Sequence, residues 1–181
     1  MDKKIYIING SGGVGKDSWV EFVSIHLNDI FKRFNTVINF SSVDKVKEIA
    51  KIIGWSGEKT ERDRKFLSDL KILTSDYCDM PFKSMKEKVD YFMSDDCKSI
   101  ALFLHIREPE EIERAKKEFN AETLLIRRDS IKHITTNMAD KNVYDYKYDY
   151  EINNHGSLED LCNKAKEFVN DVILKGEWYV E

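Results

Sequence analysis

Short apolar runs alternate along this chain with stretches in which apolar residues recur every three or four positions. Residues 5–9 are a run of the first kind. Val20, Val23, Leu27, Ile30 and Phe34 then recur at helical spacing, which predicts a buried strand followed by a helix reaching about Phe34. Residues 36–40 predict a second strand. Val43, Val46, Ile49, Ala50 and Ile53 predict the apolar face of a short helix that stops at Gly54.

The alternation is then interrupted. Positions 58–77 are highly charged and carry Phe66, Leu67, Leu70, Leu73 and Thr74 on one side, and Pro81 opens a second predicted helix through Met93. It resumes with "SIALFLH" at 99–105, a continuous apolar run that predicts an interior strand. Pro109, Glu110 and Glu111 start a helix that turns Ile112, Ala115 and Phe119 inward. Residues 123–126 predict another strand, and 129–147 are polar, weakly periodic and about the length of an active-site lid. Residues 150–153 predict a last strand. Ser157 then caps a helix with core face Leu158, Leu161, Ala165, Phe168, Val169 and Val172, ended by Gly176.

Strands alternating with helices imply an α/β protein with a parallel sheet covered on both faces, because parallel strands need long crossovers. Ligands of such sheets bind outside the carboxyl ends of the strands. The glycine-rich stretch at 10–15 leaves the end of the first strand, and Arg107, Arg127 and Arg128 leave the ends of two later ones. All three segments are therefore expected on one rim.

At 181 residues, with 41% hydrophobic residues, the chain has the material for one domain with a sizeable core. A formal charge of −4 argues against a broad basic surface for nucleic acid and leaves room for a local phosphate pocket. Cys78, Cys97 and Cys162 are few, distant and without metal-ligand spacing, so reduced thiols and a cytoplasmic setting are expected. The apolar run at 5–8 is too short for a signal peptide, and no stretch is long enough to cross a membrane. Small-molecule partners are expected, with neither nucleic acid nor membrane among them.

The chemistry concentrates in "INGSGGVGKDS". Gly10, four spacer residues, Gly15 and Lys16 satisfy the phosphate-loop pattern GxxxxGK, placed between an apolar strand and a helix as that motif requires. Glycines let the backbone curl until successive N–H groups face one anion, and the following helix adds the positive end of its dipole. Gly10, Ser11, Gly12, Gly13, Val14, Gly15, Lys16, Asp17 and Ser18 are thus the candidate nucleotide-phosphate site, with Lys16 reaching the outer phosphates.

Asp17 stands where a hydroxyl is more usual. Two unit charges about 4 Å apart repel by on the order of 4 kcal/mol at an effective dielectric of 20, so Asp17 does not face bare phosphate. Either a magnesium ion lies between them, or Asp17 turns to helix N–H groups and Ser18 supplies the hydroxyl that assists the metal. Both residues remain candidate metal ligands.

The lysine-aspartate-serine ending and its surroundings resemble the nucleoside-monophosphate-kinase branch of P-loop proteins, above all the deoxynucleoside monophosphate kinases of phages and bacteria. The stretches carrying the resemblance are "INGSGGVGKDS", "GWSGEKTERDRKFLSDLK", "IREPEEIERAK" and "YDYEINNHGSLEDL". It implies a three-layer α/β/α P-loop NTPase fold, ATP as donor, Mg2+, and a nucleoside monophosphate as acceptor. It also implies a helical acceptor-binding insertion at about 55–98 and a lid-like segment at 129–148. Carried over by position, Lys59, Arg62 and Arg64 lie on the acceptor arm, Ser42 and Lys45 line the acceptor pocket, and Arg107, Arg127 and Arg128 join Lys16 around the transferred group.

Related kinases often carry an aspartate near the end of the central strand, where this chain has His105. That departure keeps a regulatory nucleotide-binding module open beside the kinase reading. Because the loop reads the donor and not the acceptor, a kinase of another phosphorylated metabolite stays open too. Four scattered histidines make no zinc signature. Trp19 is expected in the core, and the alternating Tyr144, Tyr146, Tyr148 and Tyr150 are expected to pack on it, since Asp145 and Asp149 oppose a strand-binding platform.

Overall fold

The computed structural model describes residues 2–58, 60–129 and 143–175. Five strands, β1 (Lys4–Asn9), β2 (Val37–Ser41), β3 (Ala101–His105), β4 (Glu122–Arg127) and β5 (Tyr150–Asn153), form one sheet in the order β2-β3-β1-β4-β5. Every pairing is parallel, with Ile8 beside His105, Ser41 beside His105 and Arg127 beside Asn153. All carboxyl ends therefore share one rim, as the alternation of elements requires.

Side chains alternate across a strand, and β1 sends Tyr6 and Ile8 to one face and Ile5 and Ile7 to the other. The first face is covered by α1 (Lys16–Phe31) and α6 (Leu158–Phe168), through Trp19, Val23, Leu27, Leu161 and Phe168. Trp19 is fully buried, edge-on to Phe103 and Phe168 at 5.7 and 5.0 Å between ring centroids, so it is a core residue. The second face is covered by α4 (Met80–Met93) and α5 (Pro109–Phe119), through Phe82, Met85, Phe92, Ile112 and Phe119. A π-helical turn, Val169–Ile173, continues α6 and buries Val169 and Ile173.

The first helix is shorter than its apolar spacing predicts, and Phe34 is 85% exposed instead of buried. Lys32 turns left-handed at φ 50, and Asn28 Oδ1 accepts from the Thr36 N–H and hydroxyl at 3.3 and 2.8 Å. Those bonds divert the chain into β2 before Phe34 can continue the stripe. The short helix α2 (Asp44–Ile52) stops next to Gly54 as expected.

The interrupting segment contains two unlike helices. α3 (Glu61–Cys78) is opened by a capping box in which Thr60 and Asp63 bond reciprocally, and it packs beside α2 and α4 without a single buried residue. Its charged sequence supplies only a half-buried stripe of Phe66, Leu67, Leu70 and Thr74, while Leu73 is 64% exposed. α4 has Pro81 in its first turn and packs against the sheet. Between them Asp79 turns at φ 55 and is held by Arg114 through two bonds of 2.9 and 2.5 Å.

α6 opens with the capping box of Ser157 and Asp160. Its expected end at Gly176, most of the lid-length segment and Lys59 lie outside the described residues. Among the described residues no helix is long and apolar enough to cross a membrane.

Candidate functional site

The loop between β1 and α1 takes its shape from glycine. Gly10, Gly13 and Gly15 have φ of 145°, 82° and 96°, a region that side chains disfavour. At Gly10 space is lacking too, because a Cβ would lie 2.4 Å from the carbonyl oxygen of Ile126 in the neighbouring strand. The loop thus rests against β4 before turning into α1, whose first main-chain bond is donated by the Trp19 N–H to the Gly15 carbonyl at 2.9 Å.

The Lys16 side chain folds back over this loop. Its ammonium donates to the Gly10 carbonyl and, at 2.9 Å, to the Ser11 carbonyl. A cation therefore already sits over the loop, beside a helix start that favours anions. With the positive-φ glycines, this is a cradle suited to polyphosphate.

Two buried asparagines brace the cradle. Asn9 is fully buried, accepts the Gly10 N–H on Oδ1 at 2.8 Å, and places Nδ2 3.1 Å from the Arg107 carbonyl and 2.8 Å from the Tyr148 hydroxyl. The Gly10 N–H is thus used inside the protein, and Gly10 serves the loop through its conformation and close approach. Asn154, just past β5, donates from Nδ2 to the Val14 carbonyl at 2.8 Å. No motif marks either residue; Asn9 alone offered a signal, as a polar residue ending an apolar strand.

Three of the four tyrosines of the run pack as their sequence suggests. Tyr146 and Tyr148 lean on the core of the second face and Tyr150 on the first. Tyr148 donates to the Val143 carbonyl at 2.8 Å, and the Ser11 hydroxyl lies 3.3 Å from that of Tyr144.

Asp17 points outward with 89% of its side chain exposed, and its Oδ1 is 3.8 Å from His105 Nε2. His105 Nε2 also lies 2.6 Å from Asn39 Oδ1, which favours the tautomer protonated at Nε2. Burial pushes the His105 pKa down to about 4; the Asp17 and Asp44 carboxylates oppose this, and Lys16 and Arg107 reinforce it. His105 is therefore neutral near pH 7.

Magnesium is commonly held by one or two protein oxygens together with substrate phosphates and water. The exposed Asp17 carboxylate and the half-buried Ser18 in the first turn of α1 fit that demand. Among the described residues no group of three or more His, Cys, Asp or Glu could hold a metal.

The remaining sequence candidates divide. Arg107 and Arg128 are half-buried on the rim, Arg107 two residues past β3 and Arg128 directly after β4. Arg127 is more exposed; its Nε is 2.8 Å from Asp129 and its guanidinium 5.3 Å from the Tyr144 ring centroid. Ser42 is buried at the same rim, with its N–H donating to the His105 carbonyl at 3.1 Å. Lys45 is exposed and paired with Glu48 at 2.7 Å. Arg62 and Arg64 are exposed on α3, and Arg62 borders a surface groove of about 440 Å³ with Trp55, Thr60 and Phe66.

A further cluster was not foreseen. Lys71 of α3, only 12% exposed, donates to Glu108 at 2.7 Å and Glu111 at 2.9 Å, tying α3 to the start of α5 directly after Arg107. Burial opposes ionisation of Glu108, yet the charge and hydrogen bond of Lys71 hold its pKa below the ordinary value. Burial and the Glu108 carboxylate push Glu111 up, against the pull of Lys71.

The sequence matches no protein-family model and no curated protein at a significant level. Solved structures do match. Shikimate kinase from Aquifex aeolicus aligns with a TM-score of 0.52 at 16% identity, over 96% of this chain and 99% of that one. Thymidylate kinase from Ehrlichia chaffeensis aligns with a TM-score of 0.50 at 10% identity, over 94% of this chain and 100% of that one. Identities this low speak for the fold alone. This chain has the three-layer α/β/α architecture of P-loop NTPases, with the glycine loop after β1.

Proposed function

We propose that this protein is an ATP-dependent phosphotransferase that moves the outer phosphate of ATP to a deoxynucleoside or nucleoside monophosphate, giving the diphosphate. The observation that carries this reading is the glycine cradle at the end of β1, with the Lys16 ammonium gathered over it. The resemblance of the surrounding motifs to nucleoside monophosphate kinases supplies the acceptor class, and the two structural matches both carry the names of kinases.

The chemistry asks the protein for alignment and charge neutralisation. An oxygen of the acceptor phosphate attacks the γ-phosphorus, and the bond from that phosphorus to the β,γ-bridging oxygen breaks, leaving ADP. The attacking oxygen is already anionic, so no general base is needed. Lys16 follows the charge as it moves to the leaving oxygen, and Arg107, Arg127 and Arg128 offer cations at the same rim. Asp17 or Ser18 would hold magnesium, which would supply further neutralisation of the phosphates.

A kinase of another phosphorylated small metabolite is the second reading, kept open because the loop reads the donor and not the acceptor and because the two structural matches carry the names of kinases with unlike acceptors. A regulatory module without turnover is the third, favoured by a neutral His105 at the end of β3. The test is a panel of nucleoside monophosphates and phosphorylated non-nucleotide metabolites, each with ATP and magnesium. Diphosphate product supports the first reading, product from a non-nucleotide acceptor alone supports the second, and ATP binding without product supports the third.

A further inference from the structure

Asn154 is 4% exposed, although Asn153 and His155 on either side are exposed. Its own N–H donates to the Arg127 carbonyl at 2.6 Å, which carries the β4–β5 pairing one residue beyond the strand and fixes where the side chain starts. From there Nδ2 donates to the Val14 carbonyl at 2.8 Å, reaching from the edge strand to the loop after β1.

The consequence follows from peptide planarity. In a trans peptide the carbonyl of Val14 and the N–H of Gly15 belong to one rigid plane and point in opposite directions. Drawing the carbonyl onto Asn154 therefore turns the Gly15 N–H away from it. Gly15 is the N-cap of α1, and N–H groups at a helix start lack intrahelical acceptors. The fit leaves no slack: a Cβ on Gly15 would lie 2.8 Å from Asn154 Nδ2 and 3.4 Å from Leu161 Cδ2.

We propose that Asn154 is a positioning residue of the phosphate site: it locks the Val14–Gly15 peptide so that the Gly15 N–H is presented to bound phosphate. This rests on the phosphate-binding reading of the loop. Lys16 brings charge to the ligand, whereas Asn154 sets the direction of a neutral donor without touching the ligand itself.

The test uses the full-length protein, with tripolyphosphate and ATP as probes, calorimetry for affinity and the Gly15 amide resonance as a local reporter. Asn154→Asp keeps the shape but turns the donor into an acceptor facing the Val14 carbonyl; Asn154→Ala removes it. Both are expected to weaken binding at least tenfold and to diminish the ligand-induced shift of the Gly15 amide. Lowering the pH from 8 to 5 is expected to restore binding to Asn154→Asp, measured against the unsubstituted protein at each pH, because a protonated carboxyl can donate again. Asn154→Ala is expected not to recover, which a merely structural defect would not distinguish.

If Asn154→Asp does not fold, Asn154→Ala and Asn154→Ser carry the comparison, with the serine hydroxyl expected to retain part of the affinity. Substituted proteins that bind within twofold of the original, with an unchanged Gly15 shift, overturn the positioning role alone. An original protein that binds neither probe overturns both this role and the phosphate reading.

Discussion

The Lys16 ammonium lies 2.9 Å from the Ser11 carbonyl oxygen, within the loop that Lys16 itself closes. The cation is thus held by main-chain carbonyls of the loop. Because its charge matters most as negative charge develops on the transferred group, Lys16→Ala is expected to lower turnover on the order of a hundredfold or more. Steady-state kinetics with ATP and the acceptor found by screening check this, and unchanged turnover would remove Lys16 from the reaction.

Gly10 and Gly57 both have positive φ, but only Gly10 faces a backbone oxygen within 3 Å of its missing Cβ. Gly10→Ala is expected to destabilise by on the order of 2 kcal/mol or more, combining conformational strain with a clash at β4. Gly57→Ala, with nothing within 4 Å, is expected to lose about half as much. Urea midpoints of the two proteins give the comparison.

His105 predicts a pH dependence of stability. Its folded pKa of about 4 lies below the unfolded value of about 6.5, so between them the unfolded chain binds more protons. The contribution is therefore full above about pH 6.5 and is lost as the pH falls toward 4, by on the order of 3 kcal/mol at most. Denaturation at pH 7.5 and 4.5 should show a smaller difference for His105→Gln than for the original protein. Equal differences would mean that the ring does not carry this loss.

Lys71 joins α3 to α5 from a position only 12% exposed, whereas Lys45 pairs with Glu48 in the open. Lys71→Met leaves two neighbouring carboxylates without their cation, and the expected cost is about 1–2 kcal/mol, discounted for the partial exposure of both acids. Lys45→Met should change stability by less than about 0.5 kcal/mol. Thermal unfolding of the two proteins separates the cases.

Several elements were legible because their causes are local. Pro81 and Pro109 in first helical turns, the capping box at Ser157 and the apolar run of β3 all behave as their residues dictate. The end of α1 was not legible from spacing, since Phe34 continues the apolar period while Asn28 and Thr36 pull the chain aside. Lys71 and Asn9 were not legible for a related reason: Lys71 reaches Glu108 37 residues away, Asn9 reaches Arg107 and Tyr148 98 and 139 residues away, and neither sits in a pattern of its own.

The sequence by itself determined the glycine loop, the alternation that makes a parallel sheet, and hence the one rim that carries Lys16, Arg107, Arg127 and Arg128. These follow from periodicity, glycine conformation and the handed geometry of parallel crossovers, all of which act along short stretches of chain. Only the tertiary structure decided that Asn154 holds the Val14 carbonyl and that a half-buried His105 is neutral beside Asn39 and Asp17. Hydrogen-bond direction and desolvation depend on neighbours brought together by strand order, and strand order is a property of the whole sheet.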